Sequence, residues 1–304
     1  MRDVKVLAAV VLTVLMSLTL GAQQRESLVW APVPSTPNGW VAPNKLHTKL
    51  VDVLAANQGQ QSWRQAIVRD NLLHADYVHM APGTKTPRQF HPDNPIWWIV
   101  RDGEVRFTIE GLDPFVATKG FLVQVPYRNV YQMESVGTSP ALIFEVKVAD
   151  SPTMYPADET PVPVPGMDFV KVRISGKANY SETVRPFLDF NAAVASGRRV
   201  GGAFVSDARA FANIIRGMPQ TPNPNDKGHF HEVSAEFWLI LEGTINYRVA
   251  DFPLFDAVEG DVVYVPRQTW HRALHGGTGF STRLAMNGYP QLLHNFQPTD
   301  ELRR

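Results

Sequence analysis

The 304-residue chain contains no cysteine. Disulfides and thiolate metal ligands are thereby excluded, so any metal must be held by nitrogen and oxygen, and an exported form would rely on its core alone. It also lacks net charge, with 29 basic side chains against 29 acidic ones. No electrostatic footprint therefore points to nucleic acid or to an anionic membrane surface. The apolar run over residues 6–20 is shorter than the roughly twenty residues a bilayer span requires. With Arg2 and Lys5 before it and Gly21-Ala22 after it, the run reads as a removable secretory signal over residues 1–22. A retained N-terminal anchor is the competing reading. The signal places the protein in the periplasm or outside the cell. No cysteine follows the run and no arginine pair precedes it, which argues against lipid modification and twin-arginine export.

What remains is the composition of a packed globular protein, 44% hydrophobic and 19% charged, long enough for two domains. The two halves match at an offset of 140 residues. His91 aligns with His231, Gly103 with Gly243, Gly120 with Gly260 and Pro126 with Pro266. Trp98 and Trp238, Phe115 and Phe255, and Val125 and Val265 share that register, as expected of one folding unit present twice. The mismatches carry the chemistry. Where the second copy has His229, Glu236 and His271, the first has Gln89, Ile96 and Tyr131.

Both copies read as short strands punctuated by turns. In the first they cover 65–69, 72–80, 96–100, 104–109, 121–125 and 142–148; in the second, 202–205, 210–215, 236–241, 244–249, 261–265 and 282–286. Asp102-Gly103 and Glu242-Gly243 mark equivalent hairpins. The pattern predicts an all-β fold, a sandwich or barrel in each half. Residues 23–60 form an extended arm, rich in Pro, Asn and Gly at its start, expected to pack on the first domain. The first barrel covers 61–150. Five prolines over 150–166 mark a stiff linker. A short helix is expected within 182–196, closing at Gly197, so that linker and helix occupy 151–197. The second barrel covers 198–292, and 293–304 is a tail. A slip to offset 137 upstream of the central motif implies about three extra residues within 220–227, a loop expected to rim the site.

In His229-Phe230-His231, strand alternation turns both imidazoles to one side and Phe230 to the other. Glu236 follows after a turn, and His271 heads a later strand. Two imidazoles, a carboxylate and a third imidazole make a first shell for one divalent transition metal, whether Mn, Fe, Cu, Zn or Ni.

These residues resemble the cupin superfamily. Its first motif, G-x5-H-x-H-x3,4-E-x6-G, is met by His229, His231, Glu236 and Gly243; its second, G-x5-P-x-G-x2-H-x3-N, by Gly260, Pro266 and His271. Asn223, Gln268 and His275 stand where the family has glycine, glycine and asparagine. The first copy keeps the scaffold residues Gly103, Gly120 and Pro126 but, of the ligands, only His91. The resemblance implies two tandem cupin-type barrels (double-stranded β-helix or jelly roll), a degenerate N-terminal one and a metal-binding C-terminal one. It does not by itself select a reaction, because cupins include dioxygenases, decarboxylases, isomerases, sugar-binding regulators and storage proteins.

Other residues are weighed individually. His91 alone cannot hold a metal well and is expected to hydrogen-bond Tyr131. His275 is placed near the mouth of the site as a candidate catalytic group. Among Tyr247, Tyr264, Trp270 and Arg283, Tyr247 and Arg283 are the candidates to meet a substrate carboxylate. Of Trp97 and Trp98, at least one belongs in the core. His47, His74, His79 and His294 have no partner spacing and no assigned role. Three imidazoles and one carboxylate around a divalent ion leave two neighbouring positions in an octahedron, suited to a small oxygen-rich acid or sugar derivative that chelates. The expectation is an exported metal-dependent oxidoreductase (dioxygenase-like) or decarboxylase, with an isomerase as a variant. The alternative is a non-catalytic metal-binding or carbohydrate-binding bicupin of the cell envelope. Two barrels in one chain allow a monomer or a homodimer.

Overall fold

Strand Ile96–Asp102 (IWWIVRD) is apolar on both faces, and all but its last residue are buried. A strand of this kind needs packing on two sides. Ile96, Trp98 and Val100 face the interior of the first barrel, with Phe107, Val123, Tyr131 and Ile143. Trp97 and Ile99 face the other way, into a core that the two barrels share. Strand Glu236–Glu242 (EFWLILE) repeats the plan, with Trp238 and Ile240 inside the second barrel and Phe237 and Leu239 in the shared core. Both tandem tryptophans are thus fully buried, on opposite sides of one strand.

The computed structural model describes residues 27–36 and 38–302; the expected signal over 1–22 lies outside them. Residues 27–32 fall in a unit of their own, with Leu28, Val29 and Trp30 exposed. Within the unit that starts at Val33, each barrel is built on a six-stranded antiparallel sheet. In the first the order is Phe187–Asp189, Phe121–Val125, Ile96–Asp102, Ala141–Val148, Leu73–Met80 and Trp63–Arg69. In the second it is His47–Thr48, Val262–Val265, Glu236–Glu242, Ser281–Asn287, Ala210–Gly217 and Gly202–Asp207. A smaller sheet faces each one. Phe115–Ala117, Val105–Ile109 and Tyr131–Ser135 form it in the first barrel. Phe255–Val258, Thr244–Val249, His271–His275, His229–Phe230 and Asn295–Phe296 form it in the second. Among the described residues no helix is long and apolar enough to cross a membrane.

The barrels exchange edge strands. His47–Thr48, which precedes the first barrel, pairs with Val262 and Val263 of the second. Phe187–Asp189, which precedes the second barrel, pairs with Phe121, Leu122 and Val123 of the first. His47 and Phe187 are themselves 140 residues apart. Each strand leads into a short helix, Leu50–Ala56 or Phe190–Ala195. Each helix lies against a glycine of the opposite barrel: a Cβ on Gly260 would stand 2.4 Å from the Leu50 side chain, and one on Gly120 2.4 Å from Asn191.

This corrects the expected packing of the arm. From Asn38 to Leu50 it lies chiefly on the second barrel. The Trp40 indole N–H donates to the Tyr264 carbonyl at 2.7 Å, and the Asn38 amide donates to the Arg267 carbonyl at 2.9 Å. Contact with the first barrel includes Asn44, which exchanges hydrogen bonds with the Arg69 backbone. The reason is edge availability: Phe187–Asp189 already occupies the equivalent edge of the first barrel, and an unpaired edge is what an arm strand satisfies. The helix expected within 182–196 is shorter, because Phe187–Asp189 is drawn into that pairing. Its N-cap Asp189 accepts from Ala192 N–H at 2.9 Å, and Gly197 follows it at φ +72°.

Candidate metal centre

Gly228 sets the approach to the site. Its φ is +81°, and a Cβ there would stand 2.0 Å from the His271 carbonyl oxygen, so only glycine fits. His229 then sits opposite His271 across the ladder. Phe230 points the other way, as alternation predicts, but is buried beneath Trp270 at a centroid distance of 4.9 Å rather than left in solvent. Glu236 enters from the larger sheet, opposite Val265.

The four side chains converge: one potential donor atom from each of His229, His231, Glu236 and His271 lies within 4.8 Å of all the others. Glu236 Oε2 stands 3.0 Å from His231 Nε2, 3.2 Å from His271 Nε2 and 3.8 Å from His229 Nε2. The His229 and His271 Nε2 atoms are 3.1 Å apart. The far sides of two rings are committed: His231 Nδ1–H donates to the Leu293 carbonyl at 2.9 Å, and His271 Nδ1–H to the Thr269 carbonyl at 2.8 Å. A carbonyl only accepts, so each Nδ1 carries a proton and each Nε2 is the ring nitrogen turned inward, a lone pair whenever the ring is neutral. Acceptor atoms facing a carboxylate at these separations are satisfied by a positive charge between them, a proton or a metal ion. Donors about 2.1 Å from one ion stand roughly 3 Å apart at right angles, so the set fits a small divalent metal.

The electrostatics agree. Burial opposes the Glu236 charge, but hydrogen bonding to the three imidazoles holds its pKa well below the ordinary carboxylate value. Burial also opposes protonation of His231, yet hydrogen bonding to Glu236 outweighs it and raises that pKa. At His229 burial dominates and lowers it. A proton in the cluster does weakly what a metal would do well.

One residue at the site carries no role in the sequence reading. His294, expected to have no role, packs its ring 4.7 Å from His229 and 4.6 Å from His231. Strand Asn295–Phe296 pairs with His229–Phe230 and brings the tail to the mouth. In the first barrel the Pro152 carbonyl accepts from His91 Nδ1–H at 3.0 Å, much as Leu293 serves His231.

His275 needs the opposite correction. Its strand begins at His271 and runs away from the ligands, so about 13 Å of rise separates the two. It is buried against Ser281, 2.8 Å from the hydroxyl, and not at the mouth. Tyr247 is fully buried inside the second barrel, whereas Tyr264 belongs to the shared core. Arg283 Nε and Nη1 are buried without a partner. The loop over 220–227 folds onto outward-facing Arg248 and Arg272, each of which donates to the Asp226 carbonyl. Gln268, at a family glycine position, adopts φ +59° and donates its N–H to the His231 carbonyl at 2.7 Å. Arg128 does the same for His91 at φ +61° and 2.8 Å.

At the equivalent positions of the first barrel, side chains bond to one another. His91 Nε2 lies 3.5 Å from the Tyr131 hydroxyl, at the limit of a hydrogen bond, and Tyr131 accepts from the Gln89 amide at 3.0 Å. The Trp98 indole N–H donates to Glu145 at 2.7 Å, and Arg64 pairs with the same carboxylate at 2.6 Å.

The sequence profile of the cupin domain matches residues 76–147 and 220–285, one match in each barrel. No curated protein matches the chain by sequence. Among solved structures, a salicylate 1,2-dioxygenase from Pseudaminobacter salicylatoxidans superposes with a TM-score of 0.59 at 12% identity, covering 93% of each chain. An oxalate decarboxylase from Bacillus subtilis superposes with a TM-score of 0.50 at 14% identity, covering 89% of this chain and 84% of that one. Identities this low establish the shared fold alone. With a cupin match in each half and the same barrel built twice, the chain belongs to the cupin superfamily as a bicupin.

Proposed function

We propose that this bicupin is an exported metal-dependent enzyme of the oxidoreductase (dioxygenase-like) or decarboxylase type. Its substrate is a small oxygen-rich organic acid that chelates one divalent transition metal in the second barrel. The observation that carries the reading is the convergence of His229, His231, Glu236 and His271, with two ring tautomers set by backbone carbonyls. Nitrogen and carboxylate donors admit Mn, Fe, Cu, Zn or Ni. The dioxygenase and decarboxylase that share the fold support the choice of chemistry. The bound ion would polarise substrate oxygens or pass electrons to dioxygen.

The chain's own residues do the rest. Glu236 contributes the negative charge that lowers the net charge of a divalent centre to +1. The Leu293 and Thr269 carbonyls fix the orientation and tautomer of His231 and His271, leaving each Nε2 turned toward the site. Trp238, packed 5.3 Å from His271, walls the site with apolar surface that excludes water. The apolar run at the N-terminus favours a periplasmic or secreted location.

The test is elemental analysis of protein purified from its own host, followed by oxygen uptake and carbon dioxide release with a panel of hydroxy acids, keto acids and phenols. About one metal per chain with turnover of a panel member is the expected result. Metal without turnover would favour a binding protein of the envelope. Absence of metal would end the enzyme reading.

A further inference from the structure

Two polar groups inside the second barrel lack partners. Tyr247 is fully buried between Trp238 and Phe255, at centroid distances of 5.4 and 5.6 Å, and its hydroxyl has no hydrogen bond. Arg283 shares the inward side of its strand with Ala285, which packs in the barrel interior. The residue as a whole is half-buried, but its Nε and Nη1 are sealed and unpaired. Burial pulls its pKa below the ordinary guanidinium value, partly offset by Tyr247 and Glu236. A guanidinium whose Nε and Nη1 are sealed from water and unpaired has lost hydrogen bonds that nothing in the barrel returns.

Packing does not account for these groups. At the same repeat positions the first barrel has Phe107 and Ile143, both fully buried. The scaffold therefore closes with a phenyl ring and an aliphatic chain there. The hydroxyl and the guanidinium occur only in the barrel that carries the four metal-capable side chains.

Register gives their depth. Tyr247 pairs with Ala273, two residues along the strand from His271. Arg283 pairs with Ile240, four residues from Glu236. At about 3.3 Å per residue, Tyr247 starts roughly 7 Å below the ligands and Arg283 roughly 13 Å below, with a side chain long enough to reach back. We propose that Arg283 and Tyr247 form an anion subsite inside the second barrel. It takes the remote carboxylate of the molecule whose other oxygens reach the metal. This rests on the metal-dependent reading and narrows it. The substrate is a carboxylic acid whose chelating oxygens and distal carboxylate lie on the order of 7 Å apart. Oxalate is too short to engage both, and neutral sugars offer no counter-charge.

Calorimetric titration of the metal-loaded protein with oxalate, succinate, glutarate and adipate tests this, with azide as a probe of the metal alone. Wild type should bind glutarate or adipate more tightly than oxalate. Arg283→Ile, which installs the residue of the first barrel, should weaken those longer diacids by about ten- to a hundredfold. Tyr247→Phe should weaken them less. Azide affinity and metal content should stay within about twofold of wild type. Without diacid, Arg283→Ile should unfold at or above the wild-type temperature, because an unpaired buried charge is gone. Undiminished diacid binding by Arg283→Ile, no preference of wild type for the longer acids, or a lower unfolding temperature of the variant would each overturn the subsite while leaving the metal reading intact. A wild type that retains no metal and binds no azide removes both.

Discussion

The Nδ1–H of His231 donates to the backbone carbonyl of Leu293, 62 residues further along the chain, at 2.9 Å. The segment that follows the last barrel strand thus sets the tautomer of a metal-position imidazole. Removing residues 291–304 should lower metal affinity by about ten- to a hundredfold while the barrels keep their circular dichroism spectrum. Competition with a chelator measures it. Unchanged affinity would show that the Leu293 bond is incidental.

His231→Ala removes a buried proposed ligand whose ring nitrogens meet the Leu293 carbonyl and Glu236. The variant should retain less than about a tenth of the wild-type metal at equal loading. Its metal-free form should melt within a few degrees of metal-free wild type, since the core strands do not depend on it. Elemental analysis and thermal unfolding, run side by side, decide this. A variant that fills with metal as wild type does contradicts the assignment.

His91 gives the first barrel an acid-sensitive point. Burial, then the charge of Lys147, lowers its pKa from the ordinary 6.5 to about 4. Between those values the unfolded chain binds a proton that the folded chain refuses, so stability is full above about pH 6.5 and declines as pH falls toward 4. The loss is roughly 3 kcal/mol at most. His91→Asn, which keeps a donor for Pro152, should flatten that part of the stability–pH curve. Urea unfolding at pH 7, 6, 5 and 4 measures it, and parallel curves for the two proteins would refute it.

Asp261 anchors the exchanged arm. Its carboxylate lies 2.8 Å from His47 Nε2 and accepts from the Leu50 N–H at 3.0 Å and the Val258 N–H at 3.1 Å. Burial raises its pKa, but hydrogen bonding to His47 and to the two N–H groups holds it below the ordinary value. Asp261→Ala leaves two amides without their acceptor and should cost about 2–4 kcal/mol. Chemical denaturation is the measurement, and a loss under about 0.5 kcal/mol would mean that water replaces the carboxylate freely.

The four converging side chains were legible because spacing carries their geometry. His229 and His231 share a side through strand alternation, and the turn after them returns the chain with Glu236 on the next strand. The matched Trp98 and Trp238 likewise disclosed an interior position twice over. His275 misled because motif position gives no sign of distance along a strand: five residues span most of the barrel wall. His294 was illegible because its neighbours at the site, His229 and His231, are more than sixty residues away. Its repeat counterpart, Met154, gives no chemical hint.

From the residues alone came the duplication, the alternating strands and a ligand set confined to one copy. These follow from local rules, since side-chain direction in a strand depends on parity and a turn on a few residues. Only the tertiary structure decided that the arm crosses to the far barrel, that the tail returns to hold His231, and that Arg283 and Tyr247 are left unpaired inside. Those outcomes depend on which sheet edge is open and which interior wall lies opposite, and neither is written in the spacing of neighbouring residues.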